Sequence, residues 1–130
     1  MRFIHPKIHT MLDYIVGIVL VAAPWLFGFS SVQAAKWVAV AVGLMVLILS
    51  FMTDFAGTGK RAVSMSAHLI IDFFVGVFLA ASPIIFGFDD QVYLPHVVVG
   101  IFAIVASFCT ETKTEPNTNM HDLNKMRHAH

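Results

Sequence analysis

The chain has 130 residues, 58% hydrophobic and 12% charged, and carries no net charge when its histidines are neutral. Soluble domains are about 45 to 50% apolar and about 25% charged, so this composition excludes a chain solvated over most of its surface and points to the membrane. Without net positive charge or a basic cluster, nucleic acid is not an expected partner. The single cysteine, Cys109, excludes an intrachain disulfide and a CxxC pair, and its apolar surroundings read as a buried, inert thiol.

Four apolar runs are predicted to form transmembrane helices: His9 to Phe29, Ala34 to Thr53, Ala67 to Phe88 and Val92 to Cys109. Each is near the ~20 residues that a helix needs to cross a ~30 Å hydrocarbon core. The first run follows Arg2 and Lys7, and "VQA" before Ala35 resembles a cleavage site, but Asp13 interrupts the apolar stretch that a signal peptide requires. The mature protein is therefore expected to keep all four helices. His5, before Pro6, reads as a helix-start residue, and His96, after Pro95, as an interfacial histidine on the outer side.

The first and third runs are copies. Residues 9 to 29 aligned with 68 to 88 share ten of 21 positions: His9, Asp13, Val16, Gly17, Leu20, Ala22, Pro24, Phe27, Gly28 and Phe29 each meet their own kind. The second and fourth runs match once two residues of loop are allowed: Val40, Val42, Gly43, Ser50, Phe51 and Thr53 align with Val97, Val99, Gly100, Ser107, Phe108 and Thr110. Identities at 9, 13, 16, 20, 24 and 27 step by three or four and so share one helix face. In the second helix Ala35, Ala39, Val40, Gly43 and Ser50 form a stripe of mostly small residues suited to close helix approach, and Gly17, Gly43, Gly76 and Gly100 are the expected packing glycines.

The expected fold is an all-α membrane protein of four transmembrane helices. They form two parallel two-helix repeats about a pseudo-two-fold axis along the membrane normal. The chain reads as one transmembrane domain over residues 1–130, with repeat one at about 5–55, repeat two at about 64–111 and a polar cytoplasmic tail at 112–130. Seven of eight basic residues (Arg2, Lys7, Lys60, Arg61, Lys113, Lys125, Arg127) then fall on one side, with Lys36 opposite, which places both termini in the cytoplasm.

"AAPWLFGF" and "ASPIIFGF", each closing a helix opened by HxxxD, resemble the SPW repeat family of small bacterial and archaeal membrane proteins. The family is named for a Ser-Pro-Trp triplet ending the first of two helices. Here Ala23-Pro24-Trp25 lacks the serine and Ser82-Pro83-Ile84 lacks the tryptophan. The resemblance implies a two-helix membrane repeat and no established reaction.

Pro24 and Pro83 are expected to weaken the outer ends of their helices. Trp25, Phe27 and Phe29, with Phe86 and Phe88, are expected to form an aromatic collar at headgroup level, with Gly28 and Gly87 turning the chain back.

The intramembrane polar residues His9, Asp13, His68 and Asp72 are the candidate site. A charged side chain near the bilayer centre costs about 2.5 to 3.5 kcal/mol on insertion scales, so each aspartate needs a partner. Three arrangements satisfy this: His-Asp pairs closed locally as architecture, two aspartates meeting across the axis as a proton-relay setting, or the histidines and aspartates holding a metal, with a haem held by the two histidines as a variant. In the tail, Met120, Leu123 and Met126 suggest a short amphipathic helix, with His121, His128 and His130 as weak metal candidates.

No nucleophile with a base and no phosphate loop is visible, so no enzymatic activity is expected. The expected role is structural or associative, as a homo-oligomer or a subunit of a larger membrane complex with the lipid bilayer as its surroundings and no required cofactor. The alternative is a proton- or metal-handling protein.

Overall fold

The computed structural model describes residues 2–54, 58–112 and 120–129. They form four apolar helices, α1 (Pro6–Leu26), α2 (Gln33–Met52), α3 (Met65–Ile85) and α4 (Leu94–Cys109), and a short tail helix, α5 (Met120–Arg127). Pro6 in the first turn presets the backbone for α1, and the His5 side chain caps it by accepting from the Lys7 amide. Ser64 caps α3 through the Ala67 amide in the same way.

The first three helices, of 21, 20 and 21 residues, are long and apolar enough to cross a membrane. With 16 residues, α4 is shorter than its apolar run suggests, because Pro95 sets its first turn and leaves Val92 and Tyr93 outside. Its two ends are nonetheless tied to opposite ends of the bundle. The Cys109 carbonyl accepts from the Phe3 and Ile4 amides at 2.8 and 2.9 Å before α1 begins, and His96 reaches the start of α2. Cys109 itself is half-buried rather than enclosed. The chain is an all-α, multi-pass membrane protein.

Helix α1 packs most closely on α2, and α3 on α4. Within each pair a glycine meets a glycine, Gly17 against Gly43 and Gly76 against Gly100. A Cβ at Gly100 would lie 2.6 Å from both the Gly76 carbonyl oxygen and the Ala80 amide nitrogen. Without side chains at these positions the backbones approach closely, and dispersion contacts replace the hydrophobic drive that lipid does not supply. Ala35, Ala39, Val42, Gly43, Val46, Leu49 and Ser50 form the buried face of α2, where Val40 is only partly enclosed.

Two short parallel ladders close one end of the bundle. Strand β1 (Thr53–Asp54) pairs with β2 (Val63–Ser64), placing Thr53 opposite Val63, and an isolated parallel bridge joins Ile4 to Thr110. The residue leaving α2 is thus bound to the one entering α3, and the residue leaving α4 to the one entering α1.

At the other end, α1 and α3 stop two residues after their prolines. The Phe29 amide bonds back to the Pro24 carbonyl at 2.8 Å and the Phe88 amide to the Pro83 carbonyl at 2.9 Å, around Gly28 and Gly87 at φ of 73° and 67°. This is the six-to-one closure of a helix C-terminus, and its left-handed residue favours glycine. The closure turns Phe29 and Phe88 inward, so the expected collar is corrected. Both are buried against Ala23, Ala35 and Ala39, while Trp25, Phe27 and Phe86 remain exposed.

Pro83 has no amide hydrogen for the carbonyl of Leu79, and the Ser82 hydroxyl donates to that carbonyl instead at 2.7 Å. Ala23, before Pro24, has no hydroxyl for this. The residue before the proline therefore repairs the break that the proline makes. Ser82→Ala should lower stability in detergent by about 1 kcal/mol, the net worth of one hydrogen bond, as read by thermal unfolding followed by circular dichroism. An unchanged transition would mean that the Leu79 carbonyl is satisfied without the hydroxyl.

Candidate functional site

His9 and Asp13 lie one turn apart on α1, and His68 and Asp72 one turn apart on α3. The structure brings all four together. His9 Nε2 is 2.8 Å from Asp72 Oδ2 and 3.2 Å from Asp13 Oδ2, whereas His68 Nε2 is 2.7 Å from Asp13 Oδ2 and 3.0 Å from Asp72 Oδ2. In each case the contact between helices is shorter than the one along the helix. The result is a closed ring of four atoms, nitrogen and oxygen alternating. The imidazoles meet edge to face with centroids 5.4 Å apart.

The ring is enclosed. His9 and His68 are 1% and 0% exposed and Asp72 is 4% exposed, while Asp13 forms its most open edge. Counting from Pro6 at ~1.5 Å per residue, His9 lies about 4.5 Å and Asp13 about 10.5 Å inside α1. His9 therefore closes the first turn and Asp13 lies in the second.

Thr53 and Thr110 orient the imidazoles. A backbone carbonyl only accepts, so each hydroxyl proton goes to the carbonyl four residues back: Thr53 Oγ1 to Leu49 O at 2.6 Å and Thr110 Oγ1 to Ala106 O at 2.7 Å. Each threonine oxygen must then accept from the imidazole beside it. His68 Nδ1 donates to Thr53 Oγ1 at 2.5 Å, and His9 Nδ1 to Thr110 Oγ1 at 2.7 Å. With Nδ1 hydrogen-bearing in both rings, the four short N···O contacts between Nε2 and the carboxylates contain two shared protons or an equivalent positive charge. Ser50 Oγ adds a long contact of 3.4 Å to Asp13 Oδ2, whereas Ser107, its counterpart in the repeat, donates instead to Ile104 O at 2.7 Å.

Toward the bilayer centre the ring borders a cavity of about 20 Å³ whose polar wall is Asp13 and Asp72 and whose other walls are apolar, among them Val16, Leu20, Val75 and Leu79. That volume holds one water molecule. It is far too small for a porphyrin. Each of the four side chains offers one ligand atom, and these atoms all lie within 4.8 Å of one another.

His96 is not interfacial. It is fully buried, sandwiched by Phe29 and Phe88 with centroids 5.4 and 4.9 Å away, and its Nε2 donates to the Ala35 carbonyl at 3.0 Å. A proline before it, which suggests a helix start near headgroups, does not reveal that the turns at Gly28 and Gly87 fold two phenylalanines over it. Thr53 and Thr110 stand among the repeat identities, and only the fold assigns them to the histidines. In the tail α5 is helical. The side chains of Met120, His121 and Leu123, and all of Lys113 and His130, lie outside the described residues.

Thr53→Val keeps the shape and removes the acceptor for His68 Nδ1. It should cost about 1 to 3 kcal/mol through an unsatisfied buried donor, measured by thermal unfolding in detergent. Nitrogen-15 NMR of labelled histidine should show Nδ1 of His9 and His68 hydrogen-bearing in the wild type, and a deprotonated Nδ1 would contradict the assigned direction of these bonds.

Comparison with curated proteins finds no match, and comparison with solved structures finds none either. The SPW repeat domain matches residues 7–110, a stretch that begins before His9 and ends at Thr110, enclosing the whole ring and both of its threonines. With four-fifths of its length covered by that domain, the chain belongs to the SPW repeat family.

Proposed function

We propose that the protein is a structural or associative component of a bacterial or archaeal inner membrane, acting as a homo-oligomer or as an accessory subunit of a larger complex. In this reading it crosses the bilayer four times as two parallel two-helix repeats about a pseudo-two-fold axis along the membrane normal, with both termini cytoplasmic. The carrying observation is how burial is distributed. The polar ring and the glycine contacts close inside a thin bundle, while most of each helix faces outward. Trp25, Phe27, Ile84, Phe86 and Tyr93 are all about half exposed or more near one end. So many large apolar side chains at one depth suit an interfacial anchor that a protein neighbour can also pack against.

The parallel repeat is supported by matching contacts. Thr53 with His68 and Asp13 corresponds to Thr110 with His9 and Asp72, and the Thr53–Val63 pairing corresponds to the Thr110–Ile4 pairing. The orientation is supported by charge. Arg2, Lys7, Lys60 and Arg61 flank the helix ends nearest the ring, while Lys36 lies beyond it with the Asp89 and Asp90 turn.

Native mass spectrometry of the full chain released from a mild detergent or lipid nanodisc should record more than one copy, or a partner in fixed ratio. A monomer alone under every releasing condition overturns the associative role. In a Cys109→Ser background, Gln91→Cys should react with a membrane-impermeant maleimide on whole cells and Lys60→Cys should not. The reverse pattern overturns the orientation.

A further inference from the structure

We propose that His9, Asp13, His68 and Asp72 form a binding site for one divalent transition-metal ion. Both histidines coordinate through Nε2 and both aspartates through Oδ2. Thr53 and Thr110 serve as outer-shell partners that hold the imidazoles in place.

The dimensions suit such an ion. Bonds of about 2.0 to 2.1 Å to nitrogen and oxygen place neighbouring ligand atoms roughly 2.9 Å apart in a square and 3.3 Å apart in a tetrahedron. The four edges of the ring measure 2.7, 2.8, 3.0 and 3.2 Å. The edges therefore differ from those of a square site by no more than about 0.3 Å. The two helices supply the ligands in one arrangement, a histidine followed one turn later by an aspartate, and the four ligand atoms lie within 4.8 Å of one another.

The hydrogen bonds outside the ring suit it as well. A metal-binding imidazole coordinates through one nitrogen and donates from the other to an outer-shell acceptor, which fixes its tautomer and aim. His9 and His68 both donate from Nδ1 to a threonine oxygen that is itself committed to a helix carbonyl, which leaves the Nε2 lone pairs directed inward. The same threonine arrangement occurs at both histidines although they lie on different helices.

Charge balance permits the exchange inside a bilayer. Two neutral imidazoles and two carboxylates carry two negative charges, which either two protons or one divalent cation neutralises. Binding of M²⁺ releases two protons to water and leaves the net charge of the ring at zero, so neither state places an uncompensated charge in the hydrocarbon region. The donor set of two nitrogens and two oxygens without sulfur favours ions such as Zn²⁺, Fe²⁺ or Mn²⁺ over Cu⁺. The one-water cavity between Asp13 and Asp72 provides a fifth position on the centre-facing side.

The experiment uses the full chain, purified without a histidine tag in mild detergent and stripped with a chelator. Zn²⁺ should bind at one high-affinity equivalent per chain, and Co²⁺ at the same site should give visible d–d bands. X-ray absorption at the zinc edge should report two imidazoles and no sulfur. Thr53→Val and Thr110→Val should each weaken Zn²⁺ binding about 10- to 100-fold, as loss of an outer-shell partner does elsewhere. Asp13→Asn with Asp72→Asn should abolish the cobalt bands. His121→Ala with His128→Ala, in the tail, should leave binding unchanged. Folded wild-type protein that takes up no stoichiometric Zn²⁺ overturns the proposal, as does binding that is lost only with the tail histidines. Where a ring variant fails to fold, the wild-type stoichiometry and zinc-edge spectrum decide the matter on their own.

Discussion

Two carboxylates inside a bundle of apolar helices must be matched atom by atom, because the bilayer supplies no water to solvate what the protein leaves unpaired. His9, Asp13, His68 and Asp72 meet that demand jointly. Each imidazole makes its shorter contact with the aspartate of the other helix, and each leans on a threonine at the end of a third helix. Helices α1 and α3 are thus held together, and the ends of α2 and α4 are drawn in beneath them. Neither half of the chain completes this network alone. His9 requires Asp72 and Thr110 from the second half, and His68 requires Asp13 and Thr53 from the first.

The rest of the bundle is organised around that fixed end. Gly17 with Gly43 and Gly76 with Gly100 allow each helix pair to close to backbone contact, and Leu20, Val42, Val46 and Leu79 fill the middle. At the opposite end the prolines and the left-handed glycines stop α1 and α3 so abruptly that Phe29 and Phe88 fold inward over His96. One end is therefore locked by polar contacts and the other by aromatic packing. Ser82 shows how the family's proline is accommodated, since its hydroxyl donates to the carbonyl that Pro83 leaves without a partner.

Much of the fold is legible in the residues because membrane helices announce themselves by length and hydropathy, and a repeat reveals equivalent positions by identity. The candidate site was legible as four side chains, and whether the two pairs meet was not. A histidine and an aspartate one turn apart can satisfy one another along a single helix, and here both options exist with distances differing by only a few tenths of an ångström. The threonines were legible as identities without a role. The aromatic end was misread in part, since Phe27 and Phe29 are two residues apart and lie on opposite sides of a turn whose geometry depends on Gly28.

By itself the sequence determined the membrane-spanning class, the helices and their approximate ends, the internal duplication and the four polar residues that must find partners. These follow from local composition, periodicity and the cost of burying charge, each of which acts along the chain. Only the tertiary structure decided that the two polar pairs exchange partners, that Thr53 and Thr110 set which imidazole nitrogen faces inward, and that His96 is a core residue. Those outcomes depend on distances between helices of a few ångströms, which the packing of glycine on glycine and the pairing of the helix ends establish.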